Sequence, residues 1–457
     1  MNGIFITLFI GLGVVYLILG LVFSRGIKNL KDYFLAGRKL GIWGLTSTLV
    51  GTQIGGGLVL GTAAESYKYG FYGIFYSLGI CLGFLLLGLG FAYKLRAFEV
   101  STVAEIFEVF YGSRFLKKLA SLISAISLCG ILAAQVLALK SLLFGLGITS
   151  NTVVILTWAF LVIYTMIGGL KAVVASDLFQ VFVILSVITG LFFYSFGSGN
   201  LSIIDFKNII FDKALFASQD LSFNSLFAIL VVPILFSLIE QDLAQKFFAA
   251  KTKLIASISA LISFVIVLLF SFIPVYFGAM AKFTGVNING CSSPFISFVS
   301  ANFGSLILAL IACAVSAAIT STSNSLLTAI SSNLSQDFDF QLFKNKLFQS
   351  KVITFFVGIL ALILGLTSKN IINTLIISYD FMLSALFVPL LFVFFKKDFN
   401  KISAYLSIIF GSLSFIFLKI YPVNFPAEVI TLSLSLIGYV LGYLFKTKEI
   451  VNQDVFL

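Results

Sequence analysis

The chain contains no histidine. Imidazole is therefore unavailable as a proton relay, a zinc ligand or the base of a hydrolytic triad, which removes several enzyme classes at once. Cysteine is nearly as scarce: of four residues, Cys81, Cys129 and Cys313 fall in apolar runs and only Cys291 in a connector, so neither a disulfide framework nor a metal-ligand spacing has material. Charged residues are only 10% of 457, and no polar stretch approaches the size of a soluble domain. The net charge of +11 is spread over connectors without interleaved aromatics, a pattern that excludes a nucleic-acid groove and points to membrane orientation. No nucleophile with a base, and no acid–base pair, sits where a membrane-embedded enzyme needs one.

What is present is apolar. Hydrophobic residues make up 60% of the chain, with 53 Phe, and the mean hydropathy is +1.12. Runs of about 20 apolar residues, enough to cross a bilayer, recur along the whole length. About 13 spans are expected, centred near residues 13, 53, 82, 131, 160, 185, 232, 264, 313, 359, 383, 408 and 436. The first, Ile4 to Phe23, lacks a basic leader and a small-residue cleavage site and reads as a retained helix. With the N-terminus outside, 22 of the 29 basic residues fall on the cytoplasmic side, in clusters such as Arg25, Lys28, Lys31, Arg38 and Lys39, then Lys344, Lys346 and Lys351, then Lys396, Lys397 and Lys401, and finally Lys446 and Lys448. The exceptions, Lys68, Lys140, Lys207, Lys213, Lys282, Lys369 and Lys419, are scattered. This bias predicts an inside C-terminus as well.

Two spans are interrupted. In the second, the polar pair Thr52 and Gln53 precedes Gly55, Gly56 and Gly57, each costing roughly 1 kcal/mol in a helix interior. A break there frees carbonyls to face a cation, whereas Gly51, Gly55, Gly57 and Gly61 equally satisfy small-residue helix packing. The seventh span carries Pro233, which removes a ladder donor. Interruptions five spans apart imply two five-helix units of opposite direction, the arrangement that marks a transporter site.

The ninth span faces this break with one polar stripe of Ser321, Asn324, Ser325, Thr328 and Ser332. Such hydroxyls either bond back to the preceding turn or coordinate a hard monovalent cation. Asp177 and Asp380 lie at membrane depth and are candidate functional acids. Glu240 and Asp242, beside Lys246, read as a solvated cap on the end of span seven.

Four segments carry a family resemblance over nearly the whole chain: Lys31 to Leu40, Gly168 to Gln180, Gln245 to Lys251, and Ser321-Thr322. Together they resemble the sodium/solute symporters. The resemblance implies an all-α integral membrane protein with the LeuT-like fold, two inverted five-helix repeats and broken helices 2 and 7. It divides a single transmembrane domain, 1–457, into a first helix and loop (1–40), repeat 1 (about 41–197), repeat 2 (about 225–395), and two C-terminal helices with a short tail (about 399–457). It further implies coupling of sodium to import of an organic solute through the plasma (inner) membrane. Matched residue by residue, sodium would be held by Gly51, Ile54, Ala318, Ser321 and Thr322, and a second sodium by Asp177, Ser321, Asn324 and Ser325. Lys246 stands where the family has an arginine, keeping charge without bidentate geometry. Gln53, Gly56, Gly57 and Phe236 are the candidate solute contacts. An amino acid such as proline, a sugar, a sialic acid, a vitamin or a small carboxylate all suit the scaffold. An uncoupled channel or a structural membrane protein would share the spans but has no use for paired breaks.

Overall fold

The computed structural model describes residues 2–23, 29–197, 209–212, 215, 222–288, 292–338, 343, 345–395 and 399–445. Arg25, Lys28, Lys207, Lys213, Lys344, Lys396, Lys397, Lys446, Lys448 and Cys291 lie outside them. Every regular element described is helical, and the one β-type contact is an isolated bridge between Leu40 and Ala250. In chain order the helices are α1 (Asn2–Phe23), α2 (Leu30–Leu35), α3 (Ile42–Gln53), α4 (Thr62–Tyr69), α5 (Phe75–Leu86), α6 (Ala92–Ala97), α7 (Val103–Tyr111), α8 (Arg114–Gly145) and α9 (Asn151–Gly197). They continue with α10 (Phe223–Ser237), α11 (Gln241–Phe248), α12 (Lys253–Phe283), α13 (Pro294–Asn302), α14 (Ser305–Gln336), α15 (Lys346–Thr367), α16 (Ile371–Phe395), α17 (Lys401–Ile420) and α18 (Ala427–Leu444).

Polar residues in the short connectors set where helices begin. Thr102, Ser113, Thr252, Asn345 and Asn400 each accept a backbone N–H from the first turn they precede, satisfying donors that have no intrahelical partner. Between these caps the apolar runs leave large side chains such as Ile10, Leu89, Phe182, Phe356 and Leu413 exposed on helix surfaces. In water these would be a liability; against lipid they are the expected outer face.

Eleven described helical stretches are long and apolar enough to cross a membrane, against the thirteen expected. Two of them, Gly57–Ala97 and Asn151–Ser195, run to 41 and 45 residues. At 1.5 Å per residue each is about twice the length one bilayer core requires. The second turns at Gly169, whose φ of +56° is closed to most residues and whose missing side chain leaves room for Tyr33 of α2.

Both interruptions are present. The first falls at Ile54 and Gly55, after which a short π-helical stretch, Gly57–Gly61, leads into α4. The second separates α10 from α11 at Leu238 to Glu240. Pro233 is not at that break but one turn before it, inside α10, where its carbonyl accepts the Ser237 hydroxyl at 2.8 Å. The proline thus weakens the helix upstream, and the chain leaves helical geometry where Glu240 turns extended, with φ −60° and ψ 121°.

Candidate functional site

Helix α14 lies against the first break, and one hydroxyl closes the contact. Thr322 Oγ1 donates toward the carbonyl of Thr52 at 2.7 Å, with the carbonyls of Ala318 and Gly51 at 3.2 and 3.5 Å. Three carbonyl oxygens from two helices therefore meet around one hydroxyl, buried in the membrane domain. The approach is close because Gly55 has no side chain: a Cβ there would lie 2.2 Å from Thr322 Oγ1. Gly51, Ala318 and Thr322 are thus brought together, and Ile54 is the buried residue at which α3 ends, its N–H on the carbonyl of Val50 at 2.8 Å.

Ser321, one residue earlier, also lies against the break, since a Cβ on Gly51 would fall 2.7 Å from its hydroxyl, but on the side of Asp177. Its hydroxyl donates to Asp177 Oδ1 at 2.5 Å, and Thr48 of α3 donates to Asp177 Oδ2 at 2.5 Å. Asp177 is fully buried, and no lysine or arginine among the described residues comes within ion-pairing distance of it. The other two residues expected beside it are placed differently. Asn324 accepts from Thr165 at 2.5 Å, and its amide nitrogen has no partner among the described residues. Ser325 lies 2.9 Å from Thr52 Oγ1, which also accepts from the ammonium of Lys246. The rest of the stripe is spoken for within its own helix: Thr328 bonds back to the carbonyl of Asn324 at 2.8 Å, and Ser332 accepts from the amide of Gln336.

The second break corrects the reading of span seven's end. Glu240 and Asp242 are not a solvated cap: they are 5% and 1% exposed, and Lys246 is 1% exposed. The short α11 re-enters the protein and is buried on every side, so the polar end of an apolar run is carried inward. Gln53 Nε2 donates to Glu240 Oε2 at 3.1 Å, tying one break to the other, and Lys246 Nζ lies 3.6 Å from Asp242 Oδ2.

Between the breaks is a cavity of about 20 Å³, lined by Gln53, Gly57, Gln135, Glu240, Asp242 and Tyr379 among others, with room for about one water molecule. Of the expected solute contacts, Gln53 and Gly57 line it. Gly56 faces α8, donating its N–H to Gln135 Oε1 at 2.9 Å. Phe236 stacks behind the lining on Tyr379, ring centroids 4.2 Å apart. Tyr379 and Tyr76 join hydroxyls at 3.0 Å across the cavity wall. Sequence reasoning missed Thr48, Gln135, Tyr76 and Tyr379; only Thr48 carried a signal, its four-residue step to Thr52. Asp380 belongs to another contact, its carboxylate 3.7 Å from Lys419 of α17.

One face of the molecule opens into a vestibule of about 890 Å³ that reaches Leu60 and Ile372, a turn away from Gly57 and Leu375 of the cavity lining. The opposite face is sewn shut. Leu40 exchanges backbone hydrogen bonds with Ala249 and Lys251, and Gln245 donates to the carbonyl of Phe34 at 2.7 Å. Val103 N–H donates to Gln241, Arg96 to the carbonyl of Ala250, and Arg38 to those of Glu99 and Val100.

The chain is similar to the high-affinity choline transporter 1 of Drosophila melanogaster, 26% identical over 84% of this chain and 65% of that one. It is also similar to the sodium/pantothenate symporter of Escherichia coli K12, 30% identical over 34% of this chain and 33% of that one. These matches span less than two thirds of the relatives' own lengths. A solved Na+-coupled sialic acid symporter in a substrate-bound outward-open state superimposes with a TM-score of 0.82 at 19% identity, over 98% of this chain and 99% of that one, so the fold is shared. The model of the sodium:solute symporter family matches residues 33–411, most of the chain, and the chain belongs to that family.

Proposed function

We propose that this multi-pass membrane protein is a sodium-coupled symporter importing a small organic solute by alternating access, and is not an enzyme. The observation that carries the reading is the oxygen cluster at the first break, where Thr322 meets the carbonyls of Gly51, Thr52 and Ala318. A neutral set of hydroxyl and carbonyl oxygens suits a dehydrated monovalent cation and offers a proton no base. In this reading Gly51, Ile54, Ala318, Ser321 and Thr322 supply the sodium site. Asp177 with Thr48 and Ser321 supplies a second cation position, and Asn324 and Ser325 support it from a distance. Residues about 41–197 and 225–395 are the two inverted units, which puts one break in each. Relatives named for sodium with pantothenate, and a structural neighbour named for sodium with sialic acid, support the coupling ion and the solute class.

The sewn face supports the orientation read from the sequence. Arg38, Arg96 and Lys251 all lie there, in keeping with a cytoplasmic side of a cell membrane and an N-terminus outside. The vestibule then opens outward. The test is uptake into proteoliposomes from a pool of candidate solutes under an imposed sodium gradient or an imposed pH gradient alone. Sodium should drive accumulation, since an inward charge gains about 2.3 kcal/mol per 100 mV plus its concentration gradient. Equal accumulation under the pH gradient alone would overturn the reading, and a flux indifferent to both would leave an uncoupled channel.

A further inference from the structure

We propose that the solute carries a protonated amine, whose N–H groups hydrogen-bond to Asp242 and Glu240 in the cavity between the two breaks. This rests on the symporter reading and goes beyond it to the chemistry of the cargo. Three buried ionisable groups gather at the second break: Glu240, Asp242 and Lys246. With both carboxyl groups ionised the trio carries one net negative charge at membrane depth, where an uncompensated charge is costly. The hydrogen bonding is equally incomplete. Neither carboxylate oxygen of Asp242 accepts from an N–H or hydroxyl among the described residues: the ammonium of Lys246, 3.6 Å from Oδ2, is directed to Thr52, and the other polar neighbour is the Glu240 carboxyl, which can offer a proton only by giving up its own charge. Glu240 takes one donor, Gln53 Nε2. An ionised carboxylate only accepts, so what the cavity lacks is a cation that brings donors of its own.

Size narrows the choice further. The cavity of about 20 Å³ accommodates a group of about one water, which suits an ammonium or a ring NH2+ group. A quaternary ammonium is wider by its methyl groups and has no N–H to give. The remainder of the solute would extend past Gly57 and Leu375 toward the vestibule, which is lined by Lys68, Lys282 and Lys369 against Glu65. That surplus of positive charge opposes a bare cation and favours an amine that travels with an anionic group, as in an amino acid. An amine without an acid group offers the same recognition at Asp242, and the experiment separates the two.

The full-length protein in nanodiscs is assayed for sodium-dependent thermal stabilisation by five probes: the pooled protein amino acids, pooled primary alkylamines, choline, glucose and pantothenate. Sodium-22 binding is counted on the same sample without solute. The amino-acid pool should stabilise most and the alkylamine pool less, and the affinity for the responding pool should fall tenfold or more in Asp242→Asn and in Glu240→Gln. Should Asp242→Asn fail to fold, the wild-type ranking and Glu240→Gln still decide. Stabilisation by choline, glucose or pantothenate alone, or by none of the five while sodium-22 binds, overturns the proposal, as does loss of one bound sodium in Asp242→Asn, which would make Asp242 an ion ligand. Absence of sodium-22 binding is a different failure, that of the symporter reading itself.

Discussion

Gly55 has no room for a methyl group, since its Cβ would fall 2.2 Å from Thr322 Oγ1 and 2.9 Å from Thr322 Cβ. Gly55→Ala must therefore push α14 away from the break or rotate Thr322, and we expect sodium-driven uptake to fall tenfold or more with normal membrane insertion, checked by uptake against surface labelling. Asp177 makes a separate case. Its two accepted hydroxyls, Thr48 and Ser321, satisfy hydrogen bonding but leave the charge without a cation among the described residues. Asp177→Asn should lower the Hill coefficient for sodium in uptake assays; an unchanged coefficient would make the aspartate a structural acceptor. At this scale the sequence was half legible. Ser321 and Thr322 announce themselves as adjacent hydroxyls on an apolar span, while Glu240 and Asp242 look like a solvated helix end because their burial is decided by the re-entry of α11, which no local pattern encodes. Tyr76 and Tyr379 were invisible for a similar reason: an aromatic among 53 Phe and 16 Tyr carries no mark of facing a cavity.

The elements divide into those that line the buried cavity and those that seal. Helix α11 belongs to both, with Lys246 and Asp242 turned inward and Gln241 and Gln245 fastened to α7 and α2. Each fastening is a side-chain bond to backbone and contributes about 1 kcal/mol, so a few together can set the balance between outward and inward states, which needs shifts of only a few kcal/mol. Gln245→Ala combined with Arg96→Ala should open this face: hydrogen exchange of residues 34–40 and 245–251 should quicken several-fold, while α8 and α14 keep their protection. Unchanged exchange would assign closure to the apolar packing of Phe34, Phe247 and Phe248. The sequence located both broken helices, because three glycines and a proline are strong local signals. It misplaced the second break by a turn, since a proline disturbs the helix before it and not necessarily at it.

At the scale of the whole molecule, hydropathy alone foresaw an all-helical membrane domain, and segments resembling a known family foresaw its fold. The number of spans was less legible, because one described helical stretch runs on through Gly70–Ile74 and another through Gly169, where apolar runs alone suggest separate helices. Orientation also belongs to this scale: a cysteine at position 3 in place of glycine, in a chain with Cys291→Ser, should be labelled by an impermeant maleimide from outside intact cells, and labelling only after permeabilisation would invert the protein. All of these depend on one claim, that the coupling sodium sits where α14 meets the first break. Adjacent residues on a helix point about 100° apart, so Ser321 and Thr322 serve one ion only if it lies between them, and helix-to-helix hydrogen bonds of about 0.6 kcal/mol are too weak for their loss to unfold the protein. The direct measurement is the sodium concentration for half-maximal uptake in Ser321→Ala and Thr322→Ala. We predict a rise of about tenfold or more, equivalent to roughly 1.4 kcal/mol, with normal insertion; wild-type sodium dependence in both variants would contradict the account and leave the polar stripe of α14 as packing.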